Sequence, residues 1–438
     1  MKIVERPAMA EADPVRRRLL QTVTGASALL LLNVASSNAR ADTLDAATFT
    51  LPEATEAITP FKVDVPQDAI DDLKSRLRIA RLPEQETVEG WTQGVPLSEA
   101  KALIAYWRDQ YDWRRFEKQI NAFPQYRTKI DGLGFHFIHV KSKHENALPM
   151  ILTHGWPGSI VEFLKVIGPL TNPTAYGGKA EDAFHVVIPS LPGFGFSDRP
   201  DAEGWKLPRI ANAWATLMKR LGYTRWTAQG GDWGTAVTHT LAHMRPEGLV
   251  AAHVNWPLVY PDKLPSNPSP DEKAAIDAVA NFFDDQYGYF KQQATRPQTI
   301  GYALADSPVG LAMYIYEKFQ AWSDNRGKVE DALTIDEVLD DISIYWFTNT
   351  GASSARIYWE NGRGGPGFNA GQIVLPMAAS IFPREIFRAP KSWGVVDWPN
   401  LIYWNEVDRG GHFAAFEQPQ LFTEELRKAF RTIRTGLD

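Results

Sequence analysis

Apolar residues in the first third of the chain recur at helical spacing, between Phe61 and about Phe123. Two helix faces repeat there, with apolar residues three or four positions apart: Ala69, Leu73, Leu77 and Ala80 on one, and Leu103, Ile104, Trp107 and Tyr111 on the other. The Asp131-Gly132 pair then predicts a hairpin turn that leads into a strand over 135–140. The pattern therefore predicts a helical region followed by the first strands of a sheet.

After residue 148, short apolar runs alternate with helical segments. The predicted strands are 150–153, 184–188, 226–228, 249–254, 374–376 and 401–404, and the predicted helices begin near 161, span 208–222 and begin at 235. Alternating strands and helices favour the α/β class with a mostly parallel, doubly wound sheet. In such sheets the catalytic groups lie at the carboxyl ends of the strands.

Residues 257–362 interrupt this alternation because they are mostly helical and rich in aromatic residues. This segment predicts a helical lid inserted into the α/β core. The resulting organisation is an export signal at 1–41, a linker and N-terminal region at 42–145, the first half of the core at 146–256, the lid at 257–362 and the second half of the core at 363–438.

The first residues are typical of a twin-arginine export signal. Arg16-Arg17-Arg18 precede a modestly apolar run, and Ala39-Arg40-Ala41 is a small-x-small cleavage signature. We expect cleavage after Ala41, a periplasmic location and no stable membrane insertion of the mature chain. The alternatives are an unstructured extension or a short membrane anchor, although the apolar run falls short of about 20 residues.

Composition removes several classes of function. The chain of 438 residues has no cysteine, so disulfides, thiolate catalysis and cysteine-bound metals are excluded. Its net charge of −6 makes nucleic acid or anionic lipid a poor partner. The oligomeric state cannot be read from this sequence.

Two motif-like patterns are better explained as ordinary structure. The glycines of 362–367 match a dinucleotide-binding spacing, but they follow no strand, open no helix and include a proline. His239 and His243 have the spacing of a zinc pair, but no adjacent glutamate or third ligand supports a metal. No metal or cofactor is therefore predicted.

The stretch Gly230-Gly231-Asp232-Trp233-Gly234 carries the most specific chemical signal. It follows a strand and precedes a helix, as a nucleophile elbow does, and that tight turn needs small residues on either side. The projecting residue is Asp232, where a serine is usual. An aspartate carboxylate has an ordinary pKa of about 3.9, so this nucleophile needs no base to activate it. The less specific interpretation is a polar turn residue.

An acyl intermediate on Asp232 needs two backbone N–H donors for its oxyanion. One conventionally comes from the residue after the nucleophile, here Trp233, and the other from the loop after an earlier strand, here Trp156 in His154-Gly155-Trp156-Pro157. Packing in the core is the alternative explanation for both tryptophans.

A histidine base is expected late in the chain, because this fold class orders its residues as nucleophile, acid and histidine. His412 is the only histidine after His253, so it is the predicted base. The acid remains open at this point. Four carboxylates lie between the nucleophile and the base near predicted strand ends: Glu385, Asp397, Glu406 and Asp408.

Together these motifs resemble those of the epoxide hydrolases of the α/β-hydrolase superfamily, specifically the microsomal type. The resemblance extends over nearly everything from Phe61 onward and is most specific in 230–234, 294–319, 345–361 and 409–417. It implies an N-terminal region that wraps the core and an enzyme that needs no cofactor. Microsomal relatives usually carry a membrane anchor, and the export-like signal of this chain departs from that pattern.

The resemblance also implies roles for three further residues. The acid of the family lies in a Phe-Pro-x-Glu stretch, which selects Glu385. Two lid tyrosines of the family hold the epoxide oxygen. They match Tyr289, before a Gln-Ala-Thr-x-Pro stretch, and Tyr358, in an Arg-x-Tyr-x-Glu-Asn stretch. Core packing would otherwise explain either ring.

The predicted activity is hydrolysis of an apolar epoxide by water to a vicinal diol, through an ester on Asp232 that His412 and Glu385 help water to hydrolyse. A haloalkane dehalogenase is the alternative enzyme, because it also uses an aspartate followed by tryptophan. A departing halide needs N–H donors and no proton, so the lid tyrosines favour the epoxide. A non-catalytic ligand-binding protein on the same fold is the third possibility.

Overall fold

The computed structural model describes residues 49–261, 263–362 and 371–434. These residues belong to one unit that spans 46–438. The predicted export signal with its cleavage position, the first residues of the linker and the greater part of the glycine-rich stretch at 362–367 lie outside the described residues. Within the described ranges, no helix combines the length and apolar character that a bilayer span requires.

The described strands are β1 (Thr59–Phe61), β2 (Gln125–Ile130), β3 (Leu133–Val140), β4 (Leu148–Thr153), β5 (Phe184–Pro189), β6 (Trp226–Gly230), β7 (Leu249–Val254), β8 (Met377–Ile381) and β9 (Leu401–Glu406). They form one sheet in the order β1-β2-β3-β5-β4-β6-β7-β8-β9. The strands from β4 to β9 are mutually parallel, and the α/β prediction is confirmed. The first three strands add an antiparallel edge.

The helices are α1 (Gln67–Ile79), α2 (Leu97–Asp109), α3 (Trp113–Ile120), α4 (Leu164–Thr171), α5 (Leu207–Arg220), α6 (Trp233–Met244), α7 (Pro270–Asn281), α8 (Gly288–Thr295), α9 (Pro297–Asp306), α10 (Pro308–Trp322), α11 (Ile335–Phe347), α12 (Gly351–Asn361), α13 (Lys391–Asp397), α14 (Ala414–Glu417), α15 (Pro419–Ala429) and α16 (Arg431–Arg434). Helices α7 to α12 lie between β7 and β8 in the chain, so the predicted helical lid is present as an insertion.

The turn between β2 and β3 follows directly from its two residues. Asp131 has φ of 51° and Gly132 has φ of 81°, so both adopt the left-handed region that a two-residue hairpin turn requires. The register pairs Ile130 with Leu133 across the turn. The hairpin prediction is therefore confirmed, and the strand begins at Leu133, two residues earlier than the pattern indicated.

One predicted strand was misplaced. The apolar residues Val374, Leu375 and Pro376 are not in the sheet, and β8 begins at Met377 instead. The reason is that Pro376 has no N–H to donate, although its carbonyl accepts from Ala252 of β7 as the chain enters the sheet. The small residues that follow it pair with β7 and β9 on both sides.

The N-terminal helices pack against the lid through buried polar contacts. Trp107 of α2 donates its indole N–H to Ser343 of α11 over 3.1 Å. The hydroxyl of Tyr111 donates to the Asp340 carboxylate over 2.8 Å. The predicted wrapping region therefore supports the lid from outside.

The lid is also fastened to the loops at the carboxyl ends of the strands. Tyr345 of α11 donates its hydroxyl to the Gly158 carbonyl over 2.8 Å, in the loop after β4. Ser353 of α12 donates to the Gly193 carbonyl over 2.6 Å, in the loop after β5. These contacts fix α11 and α12 over the edge of the sheet where the predicted catalytic residues lie.

Candidate active site

Asp232 lies on the turn between β6 and α6. Its φ of 52° and ψ of −127° are rarely adopted by residues with a side chain, at a cost on the order of 1–3 kcal/mol. Glycines make the turn possible, because a Cβ on Gly234 would lie 1.9 Å from the Thr153 carbonyl oxygen. A Cβ on Gly230 would lie 2.0 Å from the carbonyl oxygen of Gly234. The predicted elbow geometry is thus present, with the carboxylate at the positive end of α6.

The loop after β4 meets one oxygen of this carboxylate. The backbone N–H of Trp156 donates to Asp232 Oδ1 over 2.8 Å. Gly155 precedes it, and a Cβ there would lie 2.2 Å from the same Oδ1 atom. Trp233 is the first residue of α6, where N–H groups have no acceptor within the helix itself. One predicted oxyanion donor therefore already touches the nucleophile, and the other directly follows it.

His412 lies between two carboxylates. Its Nδ1 atom is 2.5 Å from Glu385 Oε1, and its Nε2 atom is 3.2 Å from Asp232 Oδ2. The Nε2–Oδ2 contact has an ion-pair distance, but Nε2 makes no aligned hydrogen bond within the described part of the chain. Among the four candidate acids, only Glu385 has a described contact with His412. Of the others, Asp408 forms an ion pair with Arg409.

The backbone around His412 is held by a buried carboxylate, Glu417. Gly411 and Phe413, on either side of the histidine, each donate a backbone N–H to Glu417 over 3.0 Å. Burial raises the pKa of Glu417 to about 7, although its backbone donors oppose the shift. The backbone N–H of His412 donates to the Trp322 carbonyl over 2.9 Å. The imidazole is therefore fixed from both its backbone and its ring.

The carboxylates decide the charge of His412. Burial alone would lower its pKa, but Glu385 and Asp232 outweigh burial and raise the pKa well above the ordinary value of a histidine. Both carboxylates therefore stabilise the protonated form of the imidazole. Any reaction that neutralises Asp232 removes one of the two charges that hold this proton.

Tyr289 of α8 and Tyr358 of α12 lie over the nucleophile from the lid side. Tyr289 stacks on Trp156 with ring centres 5.0 Å apart, and Tyr358 packs edge-on against Trp233 at 4.8 Å. The two tyrosine rings are 5.8 Å apart. The structure therefore brings both predicted tyrosines to the predicted oxyanion loops.

Both phenols are neutral hydrogen-bond donors at neutral pH. Burial raises the pKa of Tyr289 well above its ordinary value, and the charge of Asp232 adds to the shift. Burial also raises the pKa of Tyr358, with contributions from Tyr289 and Asp232. The Tyr358 hydroxyl is buried and makes no well-aligned hydrogen bond among the described residues, although Tyr289 lies close enough to influence it. A ligand oxygen between the tyrosines would satisfy it.

Two charged residues near the site were missed by sequence reasoning. Lys318 is buried in α10, with its Nζ 4.5 Å from the centre of the Tyr289 ring and 2.5 Å from Glu317. Glu162 follows the loop after β4, and Asp232 and His412 lie close enough to shift the pKa of its carboxyl group, Asp232 upward and His412 downward. Neither has a sequence signal, because each stands in a segment that reads as an ordinary helix.

The two histidines with the spacing of a zinc pair lie in different environments. His239 is buried and packs edge-on against Trp398 at 5.4 Å, whereas His243 is exposed. Within 49–261, 263–362 and 371–434, no three His, Asp or Glu side chains group as metal ligands would.

The core and the lid contribute different chemical groups to the site. Each of the functional loops follows a parallel strand: Trp156 after β4, Asp232 after β6, Glu385 after β8 and His412 after β9. The core thus supplies a carboxylate, an N–H donor, an imidazole and a second carboxylate. The lid supplies two O–H donors on the other side of the nucleophile.

Comparisons with known proteins give the family and the fold of the chain. The profile described as "Epoxide hydrolase N terminus" matches residues 58–163, and the one described as "alpha/beta hydrolase fold" matches 149–331. A protein of Stigmatella aurantiaca, provisionally named as an epoxide hydrolase, is 62% identical over 378 residues, covering 86% of each chain. Epoxide hydrolase 1 of Sus scrofa is 36% identical and covers 85% of this chain and 88% of its own.

A solved structure gives the same relationship in three dimensions. The epoxide hydrolase of Aspergillus niger superposes with a TM-score of 0.78 at 31% identity, covering 88% of this chain and 99% of the other. The similarity therefore includes the N-terminal helices and the lid as well as the common core.

Proposed function

The chain belongs to the epoxide hydrolases of the α/β-hydrolase fold, and from that membership we propose that it converts an epoxide and water into a vicinal diol through a covalent ester on Asp232. The observation that carries the proposal is that Asp232 lies between hydrogen-bonding groups of the core and phenol groups of the lid. Asp232 meets Trp156 and His412 in the core. In the lid, the charge of Asp232 contributes to the raised pKa of the Tyr289 and Tyr358 phenols.

In the first step, Asp232 Oδ2 attacks an epoxide carbon. Oδ1 is held by the Trp156 N–H, whereas Oδ2 has only the ion-pair contact with His412 Nε2, so Oδ2 is the oxygen that forms the new C–O bond. The epoxide C–O bond breaks, and its electron pair becomes an alkoxide that is too basic to form unaided. Tyr289 and Tyr358 donate hydrogen bonds to this oxygen and one of them supplies its proton.

Formation of the ester then prepares the base. The ester is neutral, so His412 loses the attraction of Asp232 that helped to raise its pKa. Its proton leaves to restore the phenol that protonated the alkoxide. Neutral His412, oriented by Glu385, can now accept a proton from water.

In the second step, water attacks the carbonyl carbon of the Asp232 ester as His412 Nε2 takes its proton. The oxyanion develops on Oδ1, where the Trp156 N–H and the Trp233 N–H are the proposed donors. Each such donor is typically worth about 3 kcal/mol of barrier. The intermediate collapses, and the diol oxygen leaves with the proton from His412. The carboxylic acid left on Asp232 then gives its proton to His412, which restores the carboxylate and the protonated imidazole.

The lid favours an apolar substrate with some bulk. Trp156, Tyr289 and Tyr358 form a mutually packed aromatic group over Asp232. Pockets of this character bind mainly through apolar surface, with a few polar groups to fix orientation.

A substrate pair with one carbon skeleton tests the proposal against the dehalogenase alternative. Purified protein is incubated with styrene oxide or with 2-phenylethyl bromide, and diol and bromide are quantified. We expect phenylethanediol from the first and no bromide from the second, because a departing halide gains nothing from the proton of a tyrosine. Bromide release without diol would reverse the assignment.

We also propose that the chain is exported and cleaved after Ala41, on the basis of the arginines at 16–18 and the Ala39-Arg40-Ala41 signature. Mass spectrometry and N-terminal sequencing of the periplasmic form should show a chain that begins at Asp42. Replacing the three arginines by lysine should keep the chain in the cytoplasm. Periplasmic protein that begins at Met1 would contradict cleavage.

A further inference from the structure

A small internal cavity lies on the core side of the nucleophile. Its volume is about 10 Å³, close to the space that one water molecule needs. Asp232, His412 and Glu162 line it together with Asn255, whereas Tyr289 and Tyr358 are absent from its described lining. The cavity is therefore separate from the lid side of Asp232, where the epoxide oxygen is expected.

Glu162 enters this region through a gap that a glycine provides. A Cβ on Gly158 would lie 1.8 Å from Glu162 Oε1, so any other residue at 158 would collide with the carboxyl group. The residue as a whole is half-buried. Its carboxyl end thus occupies the place where the side chain of residue 158 would otherwise lie, in the loop that also carries Trp156.

We propose that Glu162 is a further catalytic residue, which holds the hydrolytic water between its carboxyl group and His412 Nε2 in this cavity. The proposal rests on the ester mechanism proposed above. A water with two acceptors has both of its hydrogens fixed, one toward His412 and one toward Glu162. One of its two lone pairs is then directed at the carbonyl carbon of the Asp232 ester, the orientation that attack requires.

The state of His412 agrees with such a water. Its Nδ1 is 2.5 Å from Glu385 Oε1, whereas Nε2 has no aligned hydrogen bond in the described chain, and His412 lines the cavity. Once Asp232 is esterified, the Nε2 lone pair needs a donor. The water held by Glu162 supplies one.

Burial also explains how Glu162 can lie so near another carboxylate. It raises the pKa of Glu162 well above its ordinary value, and the charges of Asp341 and Asp232 add to the shift while His412 opposes it. A neutral carboxylic acid does not repel the Asp232 carboxylate, and its carbonyl oxygen still accepts a hydrogen bond. Asp341 itself accepts from Ser159 over 2.6 Å in the same loop.

The test separates the two half-reactions by rapid-quench mass spectrometry. In Glu162→Ala, we expect ester hydrolysis to slow on the order of tenfold to a hundredfold, while ester formation keeps its wild-type rate, because only the water is misplaced. The ester should accumulate during turnover. Glu162→Gln keeps the carbonyl acceptor at the same position and should restore most of the hydrolysis rate.

Two further variants keep the test decisive. Gly158→Ala leaves Glu162 in the chain but removes the space for its carboxyl group, so it should give the same ester accumulation. Glu337→Ala is the matched control, because Glu337 pairs with Lys165 of the adjoining helix over 2.8 Å and does not line the cavity. It should leave both rates unchanged.

The outcomes distinguish this inference from the mechanism beneath it. An ester that forms and hydrolyses at wild-type rates in Glu162→Ala, or a variant slowed equally in both steps, would overturn the role of Glu162 alone. Absence of any ester on Asp232, in the wild type and in a base-deficient variant, would overturn the mechanism itself and the inference with it.

Discussion

Replacing His412 by glutamine should stop the reaction after its first covalent step. The imidazole is 2.5 Å from Glu385 and 3.2 Å from Asp232, and glutamine fills similar space without accepting a proton. The attacking charge belongs to Asp232, whose Oδ1 keeps its contact with the Trp156 N–H. Ester formation should therefore survive, whereas water loses its base.

The size of the effect follows from the role of a general base. Such a group typically contributes about 10²- to 10⁴-fold, which corresponds to roughly 3–5 kcal/mol of barrier for hydrolysis. Ester formation loses only the electrostatic contact with the imidazolium, so its rate should change much less. With hydrolysis this slow, nearly every chain should carry the ester during turnover.

Intact-mass spectrometry after an acid quench measures this directly. Addition of an epoxide raises the mass by the whole substrate, because no atom leaves, and peptide mapping should place the added mass on Asp232. Asp232→Asn is the control without a nucleophile. Asparagine tolerates the positive φ of this position, so the turn should be retained.

Three results would refute the reasoning. The added mass could map to a serine or histidine, it could appear equally in Asp232→Asn, or His412→Gln could turn over at the wild-type rate without an adduct. The first two would remove Asp232 as the nucleophile. The third would remove His412 as the base.

Three further predictions concern the lid, the elbow and the charge of the base. Tyr289→Phe and Tyr358→Phe should each slow ester formation on the order of 10²-fold, by analogy with the loss of one oxyanion donor, and should leave the hydrolysis rate unchanged. The first step can be followed by the quenching of tryptophan fluorescence in a stopped-flow experiment. Gly234→Ala should lower the free energy of unfolding by at least about 1–3 kcal/mol in urea titrations, because its Cβ would lie 1.9 Å from a backbone carbonyl oxygen; an unchanged midpoint would contradict this. The raised pKa of His412 contributes stability that is fully present below the unfolded-state pKa of about 6.5 and is lost as pH rises through the higher folded-state pKa. Asp232→Asn should shift this loss to lower pH in urea titrations from about pH 6 to pH 10, and coincident profiles would show that Asp232 does not hold the proton.

The elbow and the hairpin turn were predictable because their causes are local. Asp131 and Gly132 adopt left-handed conformations that few other residue pairs accept. At the elbow, a Cβ on Gly230 would lie 2.0 Å from the Gly234 carbonyl oxygen, a contact within the turn itself. A short stretch of sequence contains all the information that such a turn needs.

The acid and the water-holding glutamate depend on contacts between distant segments. Glu385 and His412 are brought together by the ends of two adjacent strands, and spacing alone left four acids open. The position of β8 was equally hard to predict from the sequence. The apolar residues before Met377 have as strong a strand pattern as the smaller residues that form β8. For Glu162 the decisive feature is a missing Cβ at Gly158, visible only when the loop and the helix are seen in contact.

In the proposed mechanism, each half-reaction depends on a different part of the fold. The lid tyrosines would stabilise the oxygen that leaves the epoxide carbon, and the core residues His412, Glu385 and Glu162 would position and activate the water. Ester hydrolysis is the same chemistry whatever electrophile formed the ester. The preference for epoxides over halides must therefore reside in Tyr289 and Tyr358, and a change confined to these two phenols should alter which electrophile reacts while leaving the hydrolytic step intact.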